Sequence, residues 1–237
     1  LQVRKKKRSY CEATVIRFIS KSNVREEPMC EHFGICGGCK WQNLPYSEQL
    51  KAKQQQVYDQ LSRIGKVELP EFRPIMGSVH TKEYRNKLEF GCANKRWYTA
   101  EELAALPEGV GLSGGAIGFH ITGSFDKIYP IEKCWLMDNL CNEIRNDIRD
   151  YALETGMTFY DIRAQHGLLR DLMLRNSNTG EWMLLVQFHY DEEGDDERAK
   201  ALMQHIAENF PQITSLFYVD NQKGNDTFND LELTLYK

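Results

Sequence analysis

The chain has 237 residues, of which 41% are hydrophobic, enough for one large core or two small ones. No apolar run approaches the roughly 20 residues of a membrane span. Seven cysteines, an odd number, with no leading signal peptide disfavour a secreted disulfide framework and point to a reducing, cytoplasmic compartment. The net charge of −4 conceals a division at position 100: residues 1–100 carry 19 Lys/Arg against 10 Asp/Glu, and the remainder 11 against 24. Such asymmetry suggests one face for a polyanion and another for solvent, with chance segregation along the chain as the plainer alternative.

The basic run Arg4 to Arg8 precedes an apolar, β-prone segment, Tyr10 to Ile19. A lone strand cannot bury itself, so this one belongs to a domain whose other strands are absent or adds to the main sheet. After Lys21, SNVREEP reads as linker. MCEHFGICGGCKW follows, with Cys30, Cys36 and Cys39 at C-x5-C-x2-C spacing. The Cys36-Gly37-Gly38-Cys39 turn brings two sulfurs toward one centre, and its glycines permit positive φ and let backbone N–H groups point at bound thiolates. Its polar flanks, Glu31, His32, Lys40 and Gln42, argue against three merely packed cysteines. Either a [4Fe–4S] cluster or a zinc ion needs a fourth ligand, from Cys11, Cys92, Cys134, Cys141 or His32. Cys134 is favoured because IYPIEKCW ends an alternating run just before a helix. Closing the 94 residues between Cys39 and Cys134 costs about 4 kcal/mol of chain entropy, so the intervening fold must already hold the two together.

Tyr46 to Ile64 reads as a helix with a thin stripe, Leu50, Gln54, Val57, Leu61 and Ile64, stopped by Gly65 and suited to lie along the cysteine loop. TKEYRNKLEFGC alternates from Tyr84, with Arg85 and Lys87 on one face and Leu88 and Phe90 on the other. Arg96 to Tyr98 is expected to return as its hairpin partner around Asn94-Lys95. TAEELAALPEGVGLSGG reads as an insertion with one helical turn, and GAIGFHITGSFDKIYPIEKC as two strands around Gly123-Ser124. Leu136 to Leu153 is an amphipathic helix with Leu140, Ile144, Ile148 and Tyr151 as its core stripe. Leu168 to Arg175 and Trp182 to Tyr190 form a hairpin that puts Arg170 and Arg175 on opposite faces. A helix to about Asn209 and the strand TSLFYVDN complete a strand, helix, strand unit. LELTLYK is a last strand, and ending there suggests part of a longer protein.

CEHFGICGGCKWQNLPYSEQLKAKQ, TKEYRNKLEF, IYPIEKC, GLLRDLMLRNS and YVDNQKGNDT together resemble the RNA uracil-5-methyltransferases of the 23S rRNA (RumA-like) and tRNA types. The resemblance covers nearly the whole chain and implies a [4Fe–4S] cluster on Cys30, Cys36, Cys39 and Cys134, with 23S rRNA the favoured partner. It implies the fold class α+β: a mainly antiparallel sheet with flanking helices and an iron–sulfur loop, preceded by a strand left from an OB-like (TRAM) barrel. Residues 1–28 would be the remnant and linker, and residues 29–237 the central domain. The Rossmann-like domain that binds S-adenosylmethionine and carries the catalytic cysteine and carboxylate would be absent, leaving this part with no catalytic residue and inactive alone. RNA recognition needs cations and stacking groups. Arg85 and Lys87, beside Tyr84, match the family's basic strand, and Lys40, Phe119 and Arg170 are further candidates, as are Phe33, Trp41 and His120. A zinc-stapled RNA-binding module and an iron–sulfur redox protein are the alternatives.

Overall fold

The computed structural model describes residues 1–107 and 114–237, and divides into two compact units: residues 1–29 with 41–77, and residues 30–40 with 78–237. The helix expected beside the cysteine loop thus groups with the N-terminal segment. In this first unit the N-terminus is a hairpin rather than one strand. β1 (Gln2–Lys6) pairs antiparallel with β2 (Cys11–Thr14) through a turn closed by Lys7 N–H to Tyr10 O at 2.8 Å. The basic run itself forms the first strand and its turn, while residues 15–19, apolar enough to suggest a strand, have no ladder. α1 (Tyr46–Asp59) continues through one π-helical turn, residues 60–64, and has no buried residue. It is tethered by Gln49, whose amide donates to Leu44 O at 2.8 Å, and by Gln54, whose side-chain oxygen accepts from Ile75 N–H at 2.9 Å.

The second unit is built on a mixed seven-stranded sheet of order β5-β4-β3-β6-β7-β8-β9. The strands are β3 (Lys87–Ala93), β4 (Ala116–His120), β5 (Ile128–Pro130), β6 (Leu169–Asn176), β7 (Trp182–Phe188), β8 (Ile213–Asp220) and β9 (Thr234–Leu235). Neighbours run antiparallel except β7 and β8. Those two are joined by α4 (Asp195–Asn209), and a helical crossover returns the chain in the same direction, which makes the pair parallel. The α+β expectation therefore holds in its coarse form, a sheet with helices, while the sheet is mixed.

α3 (Asn139–Glu154) and α4 pack Ile144, Ile148, Leu202 and Ile206 into one core with Phe90, Leu172, Leu184 and Val186 of the central strands. The other sheet face carries a smaller cluster of Met173, Leu185 and Val219 backed by Phe217 and Phe228. With both faces covered, Leu169 to Leu174 of β6 is buried without interruption. The hairpin expected from Arg96 to Tyr98 does not form, because β4 and β6 already flank β3. Trp97 instead donates its N–H to Ile128 O at 2.8 Å. A capping box between Thr99 and Glu102 starts the short α2 (Ala100–Ala105). The rest of the stretch read as an insertion, residues 108–113, lies outside the described residues. Among the described residues no helix is long and apolar enough to cross a membrane.

Candidate metal centre and its basic strip

The cysteine loop is shaped by short-range hydrogen bonds. Phe33 N–H reaches Cys30 O at 3.0 Å, and Cys36 N–H reaches His32 O at 3.0 Å, with Gly34 at φ +93 between them. The two glycines of the C-G-G-C turn serve purposes other than positive φ. Gly37 lies flat against β4: its N–H donates to His120 O at 3.1 Å, and a Cβ there would sit 2.5 Å from that oxygen. Gly38 donates its N–H to Cys36 Sγ at 3.4 Å. Backbone N–H groups of His32 and Phe33 likewise favour the Cys30 thiolate, and that of Leu136 the Cys134 thiolate. Donors aimed at sulfur stabilise thiolate over thiol.

Cys134 lies near the three cysteines of the loop. It is buried at the end of the β5-to-α3 connection, within electrostatic reach of Cys30, Cys36 and Cys39. Burial pushes the Cys36 thiol up to about 11, the other three sulfurs adding to the rise, and raises Cys30 and Cys134. As thiolates, four such sulfurs would need a cation, which a soft metal would supply. The donor set, all sulfur with N–H groups pointed at it, fits an iron–sulfur cluster. The other candidate ligands are engaged elsewhere. His32 is buried, its Nε2 accepts the Glu132 N–H at 3.1 Å, and burial lowers its pKa, so it is a neutral staple between the loop and β5. Cys92 is raised by burial and by Asp171 and Asp226. Burial on α3 pushes Cys141 up to about 12. Cys11 lies in the first unit.

α3 holds Cys134 in place through its polar face. Asn142 accepts from Cys134 N–H at 2.7 Å and returns its own amide to Cys134 O at 3.2 Å. Arg145 donates to the carbonyls of Ile131 and Glu132, both at 2.8 Å, and Asn146 reaches the Glu132 carbonyl at 3.1 Å. Residues 142, 145, 146 and 149 share one helix face, and that spacing is the signal a sequence reading attending only to apolar residues passes over.

The candidate RNA contacts separate into two groups. Arg85 and Lys40 are exposed, and half-buried Lys87 pairs with Glu89 at 2.6 Å. Leu88 and Phe90 point inward as their alternation requires. Arg170 does not face solvent. Its side chain is fully buried, donates to Asn221 O at 2.6 Å and Lys223 O at 2.8 Å, pairs with Asp226 and lies 4.4 Å from the Tyr160 ring centre. A register shift between Leu169 and Asp171 interrupts the alternation that set it opposite Arg175, and with both faces of β6 covered it anchors residues 221–226. Phe119 is partly buried, 5.0 Å from the Phe90 ring, and packs on the core. Beside Cys134, Lys133 and Lys82 lie 4.0 and 4.8 Å from the Trp135 ring, and Glu83 and Arg85 N–H groups bond to Trp135 and Leu136 carbonyls, each at 2.8 Å. The result is a strip of Lys82, Tyr84, Arg85, Lys133 and Trp135, in which Lys82, Lys133 and Trp135 are additions from the structure.

The fold matches part of a solved structure. It superposes with a TM-score of 0.60 and 19% identity on the crystal structure of Pyrococcus abyssi tRNA (uracil-54, C5)-methyltransferase in complex with S-adenosyl-L-homocysteine, over 94% of this chain and 44% of that one. By sequence it is 52% identical over its full length to a Bacteroides thetaiotaomicron protein, and 47% identical to one from Porphyromonas gingivalis, each named an uncharacterized RNA methyltransferase. The chain spans about half the length of these relatives, 52% and 51%. No protein-family model matches it. Over its whole length the chain is thus similar to about half of each of these proteins named as RNA methyltransferases.

Proposed function

We propose that these residues are the RNA-binding, metal-carrying part of an S-adenosylmethionine-dependent RNA (uracil-5-)-methyltransferase acting on 23S rRNA in the cytoplasm, with a [4Fe–4S] cluster on Cys30, Cys36, Cys39 and Cys134. The observation that carries this reading is Cys134 itself, which turns its sulfur toward the loop thiols while its neighbours Lys133 and Trp135 form the basic strip. Lysine and arginine there neutralise phosphate, and Tyr84 and Trp135 offer ring faces to unpaired bases. The cysteine motif supports rRNA, and the structural neighbour makes tRNA the alternative substrate.

The cluster's contribution would be to cross-link loop and sheet. No cysteine here is assigned as the methyl-transfer nucleophile, and Cys92 and Cys141 are buried thiols with raised pKa. The chain alone is accordingly proposed to bind RNA without methylating it.

The test is anaerobic purification with iron, zinc and visible-absorption analysis, alongside binding to a 23S rRNA stem-loop at several salt concentrations. About four irons per chain, lost in Cys134→Ser, and affinity falling with salt are expected. Stoichiometric zinc would overturn the cluster, and salt-independent binding would overturn the phosphate contacts.

A further inference from the structure

Arg145 is fully buried, yet the groups that receive its hydrogen bonds are all neutral. They are the carbonyls of Ile131 and Glu132 and the side-chain oxygens of Asn142 and Asn146, at 2.8 to 3.0 Å. The Phe90 ring lies 5.0 Å from the guanidinium, and its Nε is buried without a partner. Glu132, whose carboxylate favours the Arg145 charge weakly, is mostly exposed and bonds Arg149 at 2.8 Å. Asp150 also pairs with Arg149. Arg149 itself disfavours the charge on Arg145, and its two carboxylate partners are taken up by that pairing. A buried guanidinium is ordinarily matched by a carboxylate, since an uncompensated buried charge is strongly destabilising. The side chains whose charge would favour it are Cys141, Cys134 and, more weakly, Glu132; of these only Cys134 belongs to the four-cysteine set, and Asn142 bonds both to Arg145 and to the Cys134 backbone.

We infer that Arg145 is the internal counter-cation of the four-cysteine centre, offsetting the negative charge that four thiolates bring into the core. The inference rests on the cysteines holding a thiolate-bound metal, as proposed above. Cys141 remains a neutral thiol in this arrangement, its burial disfavouring the charged form. Arg145 acts through electrostatics on the centre and through Asn142 on the Cys134 backbone, so it is a positioning residue.

A positive charge beside an iron–sulfur centre favours the reduced, more negative state, so its removal should lower the reduction potential. In anaerobically purified protein, Arg145→Met should move the reduction equilibrium toward the oxidised form by about tenfold, which is 59 mV for one electron. Arg145→Lys keeps the charge but loses most of the hydrogen bonds, and should stay within about threefold of wild type. Equal shifts in both variants, or none in Arg145→Met, would overturn the inference and leave Arg145 a structural clamp. If circular dichroism shows Arg145→Met unfolded, Asn142→Asp places a carboxylate on the guanidinium without deleting it. It should lower the potential in the same direction, and an unchanged potential would overturn the inference. The second readout needs no iron: Arg145→Met should release its metal to a chelator about tenfold faster than Arg145→Lys. Zinc in the wild type with that difference intact would sink the iron–sulfur reading and leave the counter-cation standing. A wild type that binds neither iron nor zinc would overturn both.

Discussion

Adjacent glycines in the cysteine loop offer a test of whether the geometry, rather than glycine as such, fixes the loop on the sheet. An added Cβ at Gly37 would sit 2.5 Å from His120 O, whereas at Gly38 the nearest atoms would be Cys36 Sγ at 3.4 Å and Phe119 at 3.9 Å. Neither glycine has positive φ, so alanine meets no backbone penalty at either site. For Gly37→Ala the loop must lift by most of an ångström, straining its packing by about 1–3 kcal/mol and weakening the Gly37–His120 hydrogen bond, worth about 0.5–1.5 kcal/mol. A net loss of about 2–4 kcal/mol corresponds to a melting temperature lower by about 5–15 °C for a unit of this size. At Gly38 the mild crowding on sulfur is offset by about 0.4–1 kcal/mol from a stiffer unfolded chain, leaving a change within about 1 kcal/mol. Thermal melting of the two variants, with metal content recorded for each, decides the matter. Equal losses in both would refute the claim that the His120 carbonyl is the surface against which the loop is fitted.

Three further outcomes follow from the second unit. Burial, aided by Asp226 and Glu89, raises the Asp171 carboxyl well above its ordinary value, so the folded protein keeps a proton that the unfolded chain releases above about pH 4. Stability should therefore fall as pH rises from about 4 toward the folded-state value. Asp171→Asn should remove that slope, and urea midpoints at pH 5 and pH 8 that stay parallel in wild type and variant would contradict it. Arg170→Met strips the Asn221 and Lys223 carbonyls of a buried donor and should cost about 2–4 kcal/mol in urea unfolding, with RNA affinity of the folded protein unchanged. Lost affinity without lost stability would return Arg170 to the RNA surface. Replacing Lys82, Arg85 and Lys133 with alanine should reduce the salt slope of stem-loop binding by about 0.7 for each phosphate contact removed, and an identical slope would exclude the strip as the contact surface.

What the sequence disclosed and withheld depends on whether a residue's role is local. β6 and β7 are apolar runs between clear turn residues, and Ile144 and Ile148 keep the helical period, so these elements and their inward faces could be read directly. The approach of Cys134 to the loop cysteines was legible because a strand gives way to a helix there, a place where a side chain projects from a rigid element. Asn142 and Arg145 were not, because polar residues on a helix ordinarily face water. Their partners, the carbonyls of Ile131 and Glu132 and the Cys134 backbone, come into place only when α3 folds back along the segment before it. Arg170 was misread because alternation neither foresees the register shift between Leu169 and Asp171 nor tells whether a face is covered. Lys82 and Trp135 are 53 positions apart, so their pairing is purely tertiary.

The hydrogen bonds around Cys134 also indicate where a bound metal's stabilising contribution falls. Residues 131–136 are held from inside by Asn142, Arg145 and Asn146, and from outside by Glu83 and Arg85 N–H groups on the Trp135 and Leu136 carbonyls. The loop from Cys30 to Cys39 is tied to the sheet chiefly through Gly37 N–H to His120 and Glu132 N–H to His32, two bonds worth about 0.5–1.5 kcal/mol each. A metal bridging the two segments therefore adds far more to the anchoring of the loop than to that of the strip. Removing it should open the loop locally while the strip keeps its place. In hydrogen exchange, chelation should then accelerate the Cys36, Gly37 and Gly38 amides and leave Arg85 and Cys134 protected, with stem-loop affinity largely retained. Exchange rising together at Cys36 and Cys134 would show instead that the metal holds both segments, and would make RNA binding by the strip conditional on a filled centre.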